Sequence, residues 1–195
     1  MNRRLMTCSL SCLLRFAPGA AVWILLAALA PAAAAQTLAF APESRLWIDG
    51  TSNKSDWTVE VSTLSGTVEQ AEGAVRAARL VVPVADLKSG KVLMDRLMHD
   101  TLMAEEHPQI IFALDGANAE NGTLTVSGKL TIAGTTNPIT FPATVERLDG
   151  GRLRFTGETR LAMTDYGMKP PTAMFGALHT GDEVTIRFDA VAAPR

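Results

Sequence analysis

Three histidines, His99, His107 and His179, are the side chains of this 195-residue chain best suited to proton transfer or metal ligation. A protein metal site draws on ligands at short, fixed spacings. These three lie far apart, and none falls in such a motif, so neither a metal nor another cofactor is expected. Serine chemistry needs a nucleophile elbow, G-x-S-x-G, which does not occur, and no glycine-rich phosphate loop opens a helix. An enzyme would need a histidine and a carboxylate brought together by the fold, such as His99 or His179 with Asp165 or Asp182. Nothing in the spacing prepares that pair, so no catalytic residue is assigned. The polar residues that remain suit binding better. Arg96 and His99 sit on a helical stretch, while Tyr166, the only tyrosine, and Lys169 sit in the stiff loop Thr164–Pro171. Together they are the candidates for meeting a phosphate or carbonyl headgroup. For Tyr166 the alternative is an aromatic that caps the core.

The elements that must position these groups are mostly strands. Alternation at period two marks Asp56–Ser62 and places Trp57, Val59 and Val61 on one face. It recurs through Phe112 and Leu114 after Pro108, through Val126 and Leu130, and through Phe141, Phe155, Ile186 and Phe188. Short strands are also expected at Leu46–Asp49, Gly66–Gln70 and Val75–Ala85. Asn121-Gly122 and Asp149-Gly150-Gly151 mark turns. Eight or nine short strands joined mostly by tight turns predict an all-β domain, as a closed or nearly closed antiparallel barrel or a sandwich.

One segment breaks the pattern. From Val92 to Met103 the apolar residues, Met94, Leu97 and Met98 among them, recur at helical spacing. The first reading is a plug that seals a barrel end with ordinary core contacts. The other is an adaptable lid over an apolar ligand, for which flexible methionines are suited. An eight-stranded barrel can hold one small ligand. The inward-facing lists mix large aromatics with Gly128, Ala143, Gly157 and Ala190. Such small residues either mark a ligand's close approach or relieve crowding in the wall.

The N-terminus reads as an export signal. Arg3, Arg4 and Arg15 flank the apolar run Ala20–Ala30, and small residues follow to Ala35. That run is shorter than the roughly 20 residues a spanning helix needs. Cleavage near Ala35 leaves one domain, residues 36–195, in the periplasm. Cys8 and Cys12 leave with the signal, which removes thiol catalysis and disulfides from the exported chain. Three of the 18 basic residues leave and none of the 20 acidic ones, so 15 positive charges face 20 negative ones, a net −5. That balance argues against nucleic acid or an anionic membrane surface as the main partner.

Three segments carry a family resemblance: LMDRLMHDTLMAEEHPQIIF, GKLTIAGTTNPITFPATV and TDYGMKPPTAMFGALHTGDEVTIRFDAV. With the Trp57 strand they cover nearly all of residues 36–195. The pair His107-Pro108 and the turn Gly134–Pro138 are its most specific parts. The chain resembles the YceI-like family of lipocalin-like, polyisoprenoid-binding proteins of the bacterial periplasm. The resemblance implies an eight-stranded antiparallel barrel with the helix against one end. It also implies a lumen, lined by the strand and helix residues above, that takes an isoprenoid lipid of the polyprenyl-phosphate or quinone type. A homodimer stays open. Ser52–Asp56 departs from the family, which often carries a histidine there. The departure bears on the mouth and the headgroup, not on the fold.

Overall fold

A computed structural model describes residues 35–120 and 123–195. The expected export signal and the Asn121-Gly122 turn lie outside the described residues. Along the chain run β1 (Gln36–Phe40), β2 (Arg45–Ser52), β3 (Trp57–Val61), β4 (Ser65–Ala71) and β5 (Ala74–Pro83). The helix α1 (Val92–Thr101) follows, then β6 (Gln109–Glu120), β7 (Thr123–Ile132), β8 (Thr135–Arg147), β9 (Leu153–Ala162), the two-residue β10 (Thr172–Ala173) and β11 (Leu178–Pro194).

Eight of these strands close a ring. The order is β1-β4-β5-β6-β7-β8-β9-β11, all antiparallel, and β11 returns to β1. Closure removes most of the exposed sheet edge that would otherwise pair with other chains, leaving β3 and the first half of β8 with one open side. The long strand β11 makes this possible by sharing one edge between two partners. Its first part pairs with β2 from Thr180 to Asp189, and its last residues pair with β1 from Ala192 to Pro194. Ser44 lies in the break between β1 and β2 and is fully buried. Its Oγ accepts the Val191 N–H at 3.0 Å and donates to the Val191 carbonyl at 3.2 Å, so β11 keeps its hydrogen bonds where the partner changes. The sequence reading omitted β1, a ring strand of only five residues beside the expected cleavage point. It also took two strands of the hairpin β2–β3 as ordinary members, whereas this hairpin flanks the ring.

Antiparallel order decides which turns share an end. The β4–β5 and β8–β9 turns lie at one end of the barrel. The β2–β3 turn, α1, the β7–β8 turn and the segment Met163–Ala177 lie at the other. The β7–β8 turn has two residues, Ala133 and Gly134, with φ of 47° and 78°. This left-handed pair matches the twist of the flanking strands. It also leaves room for His107, whose ring would stand 2.6 Å from any Cβ at Gly134. The two most specific sequence motifs therefore pack on each other. Pro138 and Pro142 fall in the half of β8 that pairs with β7 alone, because β9 joins β8 only from Ala143 to Arg147. Proline is tolerated there because that stretch resembles an edge strand.

Candidate ligand-binding site

The barrel is not filled. A cavity of about 580 Å³ runs inside it and reaches the surface at the helix end, where exposed Lys54, Ser55, Lys91 and Leu93 line it. The opposite end is closed by Leu38, Val68, Leu153 and Ala192, each at most 3% exposed. Between them the wall is almost wholly apolar.

Aromatic rings shape that wall. Phe112, Phe141 and Phe188 form a chain with centroids 5.7 Å apart at each step. Tilted and edge-on contacts of this kind are favoured over stacked faces. Each outer ring lies over a glycine. A Cβ at Gly128 would stand 2.6 Å from the Phe112 ring, and one at Gly157 would stand 2.7 Å from the Phe188 ring. Trp57 covers Gly50 on the neighbouring strand in the same way. Its indole N–H donates to the Thr51 carbonyl at 3.1 Å. The strand glycines thus let aromatic rings lie flat on the wall. They are not places where a ligand meets bare backbone, which decides between the two readings of the small residues for Gly128 and Gly157.

The helix is the remaining wall. Met94, Leu97, Met98 and Thr101 line the cavity, and no residue of α1 itself is buried. Met94 and Met98 are half-buried and pack against the main core while also lining the cavity, so the stripe makes core contacts without filling the lumen. The anchor is one residue beyond, at Leu102, which is 8% exposed within the main core cluster. Local bonds hold both ends. Asp95 accepts the Ser89 N–H at 2.7 Å and the Ser89 hydroxyl at 2.6 Å, which hold its carboxyl below the usual value and tie down the entry. At the exit Met103 takes a left-handed φ of 51°. Its N–H meets the Asp100 carbonyl, and the Ala104 N–H meets that of His99. This is the Schellman pattern, with methionine where glycine is usual.

The expected lumen residues divide. Trp57, Met94, Leu97, Met98, Phe112, Leu114, Val126, Leu130, Phe141, Phe155, Ile186 and Phe188 line the cavity. Val59 and Val61 do not. Both are fully buried in the packed core, because β3 lies beside the ring and turns them into side-chain contacts.

None of the four expected mouth residues lines the cavity. Arg96 is exposed, and the His99 Nε2–H donates to the Leu87 carbonyl at 3.2 Å. At about 100° per residue, both lie well round the helix from Met94, Leu97 and Met98. Tyr166 is 3% exposed in the main core, where burial raises its phenol above the ordinary value. It is the core-capping aromatic. Lys169 is exposed on the loop. Among the described residues, Lys54 and Lys91 are the only charged side chains on the cavity wall; the sequence reading tied Ser52–Asp56 to the mouth but singled out neither lysine. Their signal was their location, in the β2–β3 turn and at the helix N-cap.

The histidine–carboxylate pairing required of an enzyme does not form at the sites considered. Asp182 instead accepts from the Thr164 N–H at 2.9 Å and its hydroxyl at 2.6 Å, bonds that lower its pKa. Among the described residues, no three histidine, cysteine, aspartate or glutamate side chains are grouped to hold a metal. The outer wall carries bidentate Arg154–Asp189, with contacts of 2.8 and 2.6 Å, and Arg187–Asp49.

This closed ring with one helix at its open end matches a known family model, the YceI-like domain, over residues 40–192. The chain belongs to the YceI-like family. Among solved structures, this YceI-like barrel is similar to BcnA of Burkholderia cenocepacia, with 22% identity and a TM-score of 0.66. That match covers 77% of this chain and 96% of the other. A polyisoprenoid binding domain from Saccharophagus degradans is 16% identical with a TM-score of 0.68, covering 83% and 100%. The YCEI protein of Campylobacter jejuni is 16% identical with a TM-score of 0.57, covering 74% and 84%. At these identities the likeness shows the fold. No curated protein sequence matches the chain. Among the described residues no helix is long and apolar enough to cross a membrane.

Proposed function

We propose that this YceI-like barrel is an exported carrier or sequestering protein of the periplasm. In this reading it binds an isoprenoid lipid of the polyprenyl-phosphate or quinone type and does not transform it. The observation that carries the reading is the apolar cavity, open at one end and walled there by the half-buried apolar face of α1. An apolar cavity of about 150 Å³ accepts one benzene, so this one has room for roughly five isoprene units by the same scaling. Each buried methylene contributes about 0.8 kcal/mol, so a prenyl tail needs no polar contact to bind tightly. A longer chain would leave its remainder at the mouth. The family and the polyisoprenoid-binding neighbour support the same ligand class. An unfilled lumen speaks against a packed structural module that acts only through its outer surface.

Native mass spectrometry of the protein purified from the periplasm, followed by organic extraction, tests the proposal. A stoichiometric prenyl lipid is the expected result. A protein that arrives empty and takes up neither prenyl lipids nor quinones would overturn it.

A further inference from the structure

Among the described residues the cavity wall has six hydroxyl-bearing residues and two lysines, Lys54 and Lys91, but no carboxylate, histidine or arginine. The lysines come from different elements, the β2–β3 turn and the N-cap position of α1, and the fold brings both to the open end. Neither forms an ion pair among the described residues, although eight such pairs occur elsewhere on the barrel. The nearest acidic neighbours in sequence are directed elsewhere. Asp95 is held by Ser89, and Asp56 lines a shallow outer depression with Asp49 and Glu183. An acidic chain has thus placed two cations, and no anion among the described lining residues, where a largely apolar cavity meets water.

We infer that Lys54 and Lys91 form an anion grip at the mouth, which selects a prenyl lipid with a phosphate-class headgroup over a neutral quinone or alcohol. This rests on the carrier reading and names its headgroup. Lysine is a compact point charge on a flexible stem, suited to phosphate oxygens without a fixed bidentate geometry. The same stems pack along the apolar lip while the ammonium groups stay in water. Solvent-exposed ion pairs are each worth a factor of about 1.5 to 5, so the two together give about tenfold selectivity, weakened by salt.

Binding of geranylgeranyl phosphate and geranylgeraniol to the wild type and to the K54Q/K91Q double variant tests the inference. The tails are identical and fit the lumen, so only the headgroup differs. The wild type is expected to bind the phosphate about tenfold more tightly. The double variant should lose that margin, its affinities for the two lipids converging, and an unchanged circular-dichroism spectrum shows that it is folded. Raising the salt should weaken only the phosphate. Equal wild-type affinities for the two, or a margin that survives in the double variant, would overturn the grip while leaving the carrier reading standing. Displacement of geranylgeranyl phosphate by millimolar inorganic phosphate would reassign the lysines to a free anion. A wild type that binds neither lipid would overturn the carrier reading itself.

Discussion

The two ends of this barrel use the same apolar residue types for opposite purposes. At the closed end, Leu38 and Ala192 are fully buried and Val68 and Leu153 nearly so, each contacting side chains of neighbouring strands. At the open end no residue of α1 is buried, and Val92 and Leu93 are 88% and 65% exposed. A β-barrel can complete its own core wherever its strands converge. Around the helix, apolar surface is only half packed and lines the cavity. Such surface is unfavourable in water. Its persistence at one end only is what makes the cavity a binding site instead of a packing defect.

Substitutions at matched leucines should separate the ends most strongly. Leu38→Ala removes a fully buried side chain and is expected to cost about 2–5 kcal/mol in denaturant unfolding. Leu97→Ala, whose side chain already faces the cavity, should cost less than about 1 kcal/mol. Similar losses at both positions would erase the distinction. Leu97→Trp should then show what the open end is for. By filling the lumen from the helix side it is expected to weaken prenyl-lipid binding by about tenfold or more, equivalent to about 1.4 kcal/mol, with little change in stability. A tracer-displacement titration reads it.

Acid should act on the outer wall and leave the cavity alone. Arg187 and Arg154 donate to Asp49 and Asp189, and each carboxyl is held below its ordinary 3.8. The unfolded chain therefore takes up those protons first. Their contribution is fully present above the ordinary carboxylate range and is lost as the pH falls through it, below about pH 4. Denaturant midpoints should hold from pH 5 to 8 and decline below that. The smallest expected effect is at the helix exit. Met103→Gly relieves a left-handed methionine and should stabilise the protein by about 0.5 kcal/mol, with lipid affinity unchanged.

Much of this architecture was legible in the sequence. Inward and outward residues alternate because one face of each strand meets the interior and the other meets water. That period exposed most strands and twelve of the cavity-lining residues. Val59 and Val61 show its limit, since period two separates faces but not a lumen from a packed flank. The strand β1 was hidden because five residues are too short to show a period. Arg96 and His99 were recoverable, since helical geometry alone turns them from the apolar stripe. Lys54 was half legible, in a segment already tied to the mouth, but Lys91 was not, because which helix end meets that turn is settled by closure of the ring. The strand glycines left a ligand's approach and relief of crowding both open, and only the rings above them, from other residues on paired strands, decide for the second.

The difference between the ends is measured most directly by hydrogen exchange, with and without geranylgeranyl phosphate. In the empty protein the amides of α1 should exchange far faster than those of β1, β4 and β9 at the closed end. The lipid should slow α1 and leave those strands unchanged. A helix already protected as strongly as the closed end, and unaffected by lipid, would contradict the account.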